Sequence, residues 1–138
     1  MPLLQRPTAV ADLMTIEPIL IGADARLQEA QELMRRHRVS GLPVVDRAGR
    51  LVGVISQTDV LHLADPDTRS LIRLAPDHVR VAEVMSRPPL TVLLGTSLVD
   101  AARVMRRERV HRVVVVDPQQ RPLGVLSAMD YVDLYAEG

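Results

Sequence analysis

The chain has 138 residues, with 17 basic and 17 acidic side chains and no cysteine. That length fits one compact domain or two small halves sharing a core. Balanced charge removes a general electrostatic drive toward nucleic acid or an anionic membrane, and the missing cysteine excludes disulfides, thiolate metal sites and cysteine nucleophiles.

The interior must be aliphatic. Hydrophobic residues make up 47% of the chain, yet there is no Phe or Trp, and Tyr131 and Tyr135 are the two tyrosines. Val, Leu, Ile, Ala and Met filling suits strands buried on both faces. Every basic residue is Arg, whose planar fork of donors can hold a phosphate.

The first residues, Met1-Pro2-Leu3-Leu4-Gln5-Arg6-Pro7, contain no long apolar run, so a signal peptide or membrane span is not expected and a cytoplasmic protein is. A short helical turn over Ala11–Met14 follows, then an extended piece around Ile19–Ile21. Leu27, Ala30, Leu33 and Met34 recur at helical spacing and predict an amphipathic helix from Arg26 to Arg36. Two apolar strands, Leu42–Val45 and Leu51–Ser56, flank the turn Asp46–Gly49, and a further helix starts after Ser56. Residues 64–80 read as a surface connector with one short helix, Asp67–Leu74.

The same order then repeats. One ungapped shift lays Val10-Ala11-Asp12-Leu13-Met14-Thr15 on Val81-Ala82-Glu83-Val84-Met85-Ser86, Leu27, Ala30 and Met34 on Leu98, Ala101 and Met105, Gly53-Val54-Ile55-Ser56 on Gly124-Val125-Leu126-Ser127, and Asp59 on Asp130. The second copy predicts a helical turn over Ala82–Met85, an extended piece over Leu90–Val92 and a helix over Leu98–Arg107. Strands over Val113–Val116 and Leu123–Ser127 and a last helix complete it. This is a duplication, dividing the chain into residues 1–63, the connector 64–80 and residues 81–138. Each copy exposes an apolar face that its twin can cover.

Val39-Ser40-Gly41-Leu42-Pro43-Val44-Val45-Asp46 and Gly53-Val54-Ile55-Ser56-Gln57-Thr58-Asp59, duplicated across Val10–Tyr135, resemble the CBS-domain family, whose paired repeats are called Bateman modules. The resemblance implies an α/β (α+β) fold: two pseudo-twofold-related β-α-β-β-α repeats packed through their sheets. It also implies an adenosine-containing regulatory ligand (AMP, ADP, ATP or S-adenosylmethionine) in clefts where the repeats meet, and a homodimer formed through the long helices.

Two candidate sites follow from that resemblance. The first combines Val54, Ser56, Thr58 and Asp59 with Leu90, Val110, His111 and Arg112. Ser56, Thr58 and Asp59 sit where a strand becomes a helix, so a phosphate there can meet free amides and two hydroxyls, and Asp59 can accept from the ribose hydroxyls. The stretch Val110–Asp117 resembles the final repeat of AMP-activated kinase γ subunits, in which the matching His-Arg pair lies close to bound phosphates. Arg112 is suited to a bidentate phosphate contact, and His111 contributes more when protonated. The second site combines Ile19, Val39 and Gly41 with Val125, Ser127 and Asp130. It has Met129 in place of Thr58 and Ser40-Gly41 in place of His111-Arg112, so it keeps the ribose acid, loses phosphate donors and is the weaker of the two.

Structural readings stand beside these. Ser56-x-x-Asp59 and Ser127-x-x-Asp130 are also helix capping boxes. The clusters Arg35-Arg36-x-Arg38 and Arg106-Arg107-x-Arg109 sit at helix C-termini, where they complement the dipole on a solvated face. Met14, Met34, Met85 and Met105 occupy repeated core positions. His37, His62, His78 and His111 lack metal-ligand spacing, so no metal is expected.

Three classes of function remain. The first is a non-catalytic sensor, for which a separate effector protein is the expected reader. The second is a ligand-free homodimerisation or protein-interaction module. The third, an enzyme, has no visible nucleophile–base set, metal cluster or P-loop. Nucleic-acid binding is opposed by neutral charge and the scarcity of stacking side chains.

Overall fold

The computed structural model describes residues 8–16, 18–62 and 79–137; the expected connector helix Asp67–Leu74 lies outside them. The elements run in the order expected for a duplication: α1 (Val10–Leu13), β1 (Thr15–Ile16), β2 (Ile21–Gly22), α2 (Leu27–His37), β3 (Gly41–Val45), β4 (Leu51–Ser56), α3 (Gln57–Leu61). After the connector come α4 (Val81–Val84), β5 (Thr91–Leu93), α5 (Leu98–Glu108), β6 (Arg112–Val116), β7 (Pro122–Ser127) and α6 (Ala128–Glu137). The mixed α/β class read from the sequence is the class observed.

Two sheets form. One has the order β2-β3-β4, the other β1-β7-β6-β5. In each, the short first strand of the repeat runs parallel to the second, which pairs antiparallel with the third. The hairpins share one turn chemistry. Asp46 Oδ1 accepts from the amides of Ala48 and Arg50 at 2.9 and 3.0 Å, and Asp117 Oδ1 accepts from Gln119 and Arg121 at 2.9 Å. An Asp side chain mimicking a backbone turn is what fixes both registers.

The compact units are not the sequence repeats. One contains the described residues up to Pro18 and those from Leu90 onward; the other runs from Ile19 to Pro89. Each repeat's leading turn is therefore built into the other repeat's core. Val10 is fully buried beside Val92, Leu98, Ala101, Met105, Val113, Val115 and Leu126, while Val81 is buried beside Ile21, Leu27, Ala30, Met34, Leu42, Val44 and Ile55. Backbone bonds seat both turns: Val10 N–H donates to Thr96 O at 3.0 Å and Val81 N–H to Ala25 O at 2.9 Å.

Two consequences went unread in the sequence. β1 joins the β7 edge, with Thr15 opposite Val125, and Ser86 forms the matching antiparallel bridge with Val54. Of the apolar positions expected on α2, Leu27, Ala30 and Met34 are buried and Leu33 is partly buried against the same core, and Leu98, Ala101 and Met105 of α5 are buried. Both helices end on an arginine in the left-handed region, Arg38 and Arg109, each at φ 54°, which closes the last turn.

Candidate nucleotide site

The half of the first candidate site that lies between Ile19 and Pro89 is built on the β4–α3 junction. Ser56 caps α3: its hydroxyl accepts from the Asp59 amide at 3.1 Å, and Asp59 Oδ2 accepts from the Ser56 amide at 2.9 Å and hydroxyl at 3.0 Å. The capping box expected from the sequence is therefore formed, and it orients Asp59. Thr58 is exposed one residue earlier, Val54 is half-buried and Asp59 partly buried. Sequence reading overlooked Ser86, whose hydroxyl donates to Asp59 Oδ1 at 2.7 Å. The available signal was weak, because the two residues are 27 positions apart and Ser86 joins β4 through the bridge to Val54.

The other half of that set lies in the unit that starts again at Leu90. Leu90 accepts from the Val114 amide at 3.1 Å, Val110 donates to Met105 O at 3.0 Å, and His111 O accepts from the Ala128 amide at 2.7 Å. Leu90 and Val110 pack against the aliphatic core, leaving the exposed His111 and Arg112 at the sheet end. Arg112 stands directly opposite Ser127 in the β6–β7 register. This one sheet end thus carries Arg112 together with a second capped acid: Asp130 Oδ2 accepts from the Ser127 amide at 2.8 Å, and Ser127 Oγ from the Asp130 amide at 3.3 Å.

The second candidate set divides in the same way. Val125, Ser127 and Asp130 belong to this latter unit; Ile19, Val39 and Gly41 belong to the former. Ile19 and Val39 are partly buried against the first core, and Gly41 stands opposite Ser56. Met129, where the first set has Thr58, is exposed.

The arginine clusters are solvated. Arg35 and Arg36 of α2 both pair with Glu32 on exposed surface, and the Arg35 guanidinium draws the Glu32 carboxyl below the usual carboxylate range. A groove of about 750 Å³ lies elsewhere, against α5 and α6, lined by Val99, Ala102, Met105, Tyr131, Leu134 and Tyr135. Tyr131, one of its lining residues, donates to Leu98 O at 2.6 Å. Among the described residues, no helix is long and apolar enough to cross a membrane.

The CBS domain family matches residues 10–65 and 81–137, and the chain belongs to it as a tandem pair of CBS repeats. Inosine-5'-monophosphate dehydrogenase of Mycobacterium tuberculosis is 34% identical over 120 residues, covering 86% of this chain and 21% of that protein. Homoserine O-acetyltransferase of Methanocorpusculum labreanum is 32% identical over 122 residues, covering 88% and 23%. The chain thus spans about a fifth of the length of these curated relatives. Among solved structures, CBSX2, an Arabidopsis thaliana protein, is similar in its complex with AMP, with 32% identity, a TM-score of 0.81 and coverage of 94% and 96% of the two chains.

Proposed function

We propose that this chain is a non-catalytic regulatory module that binds an adenine nucleotide (AMP, ADP or ATP), using Asp59 for the ribose and His111 and Arg112 for the phosphates. The observation that carries the reading is the capped junction at Ser56 and Asp59, which holds a carboxylate in fixed orientation beside an exposed hydroxyl at Thr58. Family membership supports it, as does CBSX2, 32% identical and held in complex with AMP. The set around Asp130, with Ile19, Val39, Val125 and Ser127, is the weaker site, because Met129 offers no hydroxyl. A nucleotide regulates by binding two arrangements of the protein unequally, and an effector protein reads the difference.

Titration calorimetry with AMP tests this. Asp59→Ala weakens binding more than Asp130→Ala; equal losses, or a larger loss at Asp130, contradict the ranking of the two sites.

A second reading, a homodimeric assembly module, is favoured by the apolar surface of α5 and α6. Val99 and Tyr135, which line the α5–α6 groove, are 60% and 73% exposed, and Met129 and Val132 of α6 are 62% and 55% exposed. Sedimentation of the wild type and of Val132→Asp reads it: a dimer that the charge dissociates supports assembly through this face, and a monomeric wild type removes it.

A further inference from the structure

Asp59 is more heavily engaged than a free ribose acceptor. A carboxylate offers about four lone-pair sites. Oδ2 already accepts from the Ser56 amide and hydroxyl, and Oδ1 accepts from the Ser86 hydroxyl at 2.7 Å. Oδ2 is thereby filled, and Oδ1 keeps one open position.

The geometry behind the third donor is fixed by backbone. Ser86 and Val54 exchange N–H···O bonds of 2.9 and 3.1 Å, so Ser86 lies along β4 as an added strand residue. Gly53 permits that approach, because a Cβ there would lie 2.9 Å from Ser86 O. The Ser86 side chain is exposed, so its placement comes from this bridge rather than from burial. We infer that Ser86 is a positioning residue for the nucleotide site: its hydroxyl pins Asp59 Oδ1 so that the carboxylate presents one open acceptor in one direction, and this sets selectivity for a ribose hydroxyl over its deoxy counterpart. The acid of the first repeat is thus tuned by the leading segment of the second. The inference rests on the proposed role of Asp59 and adds a residue to it.

The test is titration calorimetry of the full chain with AMP and 2'-deoxy-AMP, comparing wild type, Ser86→Thr and Ser86→Val. Thr and Val share shape and suit extended backbone, so they differ in the hydroxyl alone; thermal unfolding of each variant checks that the bridge holds. The wild type binds 2'-deoxy-AMP on the order of tenfold more weakly than AMP, as losing a hydrogen bond to a charged group requires. Ser86→Thr keeps that ratio, and Ser86→Val narrows it to about threefold or less, the loss of directionality releasing much of one net hydrogen bond. A folded Ser86→Val variant that keeps the wild-type ratio overturns the role of Ser86 while leaving the nucleotide site standing. A wild type that binds neither nucleotide overturns the site, and this inference with it.

Discussion

Met85 lies directly over Gly53: a Cβ added to Gly53 would sit 2.7 Å from Met85 Sδ and 2.9 Å from Ser86 O. The other repeat reproduces the arrangement, with Gly124 beneath Met14, at 2.6 Å to its Sδ and 2.7 Å to Thr15 O. A methionine can swing away, but the carbonyl belongs to the backbone that each leading turn uses to join the other repeat's sheet. The missing side chain is therefore what lets the repeats interleave.

Gly53→Ala and Gly124→Ala should each destabilise the fold by about 1–3 kcal/mol, the usual penalty of overfilling a close-packed site. Urea unfolding midpoints read the effect. An alanine tolerated without loss at either position would show that the bridges at Ser86 and Thr15 are looser than their geometry.

The two hairpin turns share their Asp and Arg ends and their hydrogen bonds, but differ at the three residues between, the last of which takes a left-handed φ. Gly49 holds φ 82° and Gln120, at the corresponding position, holds φ 68°. A residue with a Cβ is disfavoured there by roughly 1–2 kcal/mol. Gln120→Gly should accordingly raise stability, by about 0.5–1 kcal/mol once the greater freedom of the unfolded chain is subtracted, and Gly49→Gln should lower it. Opposite signs in thermal unfolding are the expected result, and equal signs would contradict the turn geometry.

Much of this was legible in the sequence, for a physical reason. Burial at helical spacing forces Leu27, Ala30 and Met34 to recur as Leu98, Ala101 and Met105, and all six are buried. Both capping boxes were visible because a cap acts over three residues. The interleaving was not visible. Val10 and Val81 are equivalent by repetition, so pattern alone cannot say which core each one enters. The same ambiguity hid β1 and the Ser86–Asp59 hydrogen bond, since each depends on partners far apart in the chain. Arg112 and Ser127 fall opposite each other as a matter of antiparallel register, a relation that the hairpin pattern itself implies.

Tyr131 gives a pH-dependent prediction. Burial, with Asp130 nearby, raises its phenol above the ordinary value of 10.0. The folded state therefore favours the protonated phenol, which donates to Leu98 O. The stabilisation is complete below pH 10 and is lost as pH rises through the higher folded-state value. Tyr131→Phe should lower stability at neutral pH by about 0.5–1.5 kcal/mol and flatten its decline above pH 10, as denaturant titrations between pH 8 and pH 11 would show. A decline of undiminished steepness in the variant would assign it to other groups.

The proposed phosphate contact at Arg112 can be tested apart from base and ribose recognition. Arg112→Ala should weaken AMP binding by roughly tenfold to a hundredfold, as expected for a charge-assisted pair of hydrogen bonds, and leave adenosine binding nearly unchanged. Equal losses for both ligands would remove the phosphate role.

The central claim is that the chain binds an adenine nucleotide through Asp59, and thermal unfolding of nucleotide-free protein with millimolar AMP, ADP, ATP, adenosine, S-adenosylmethionine and NADH tests it most directly. A ligand at about 100 times its dissociation constant adds about 2.7 kcal/mol, enough to raise the midpoint by several degrees. Such a rise is expected with at least one of AMP, ADP and ATP, and it is abolished in Asp59→Ala. An unchanged midpoint with every compound would contradict it and favour the assembly module.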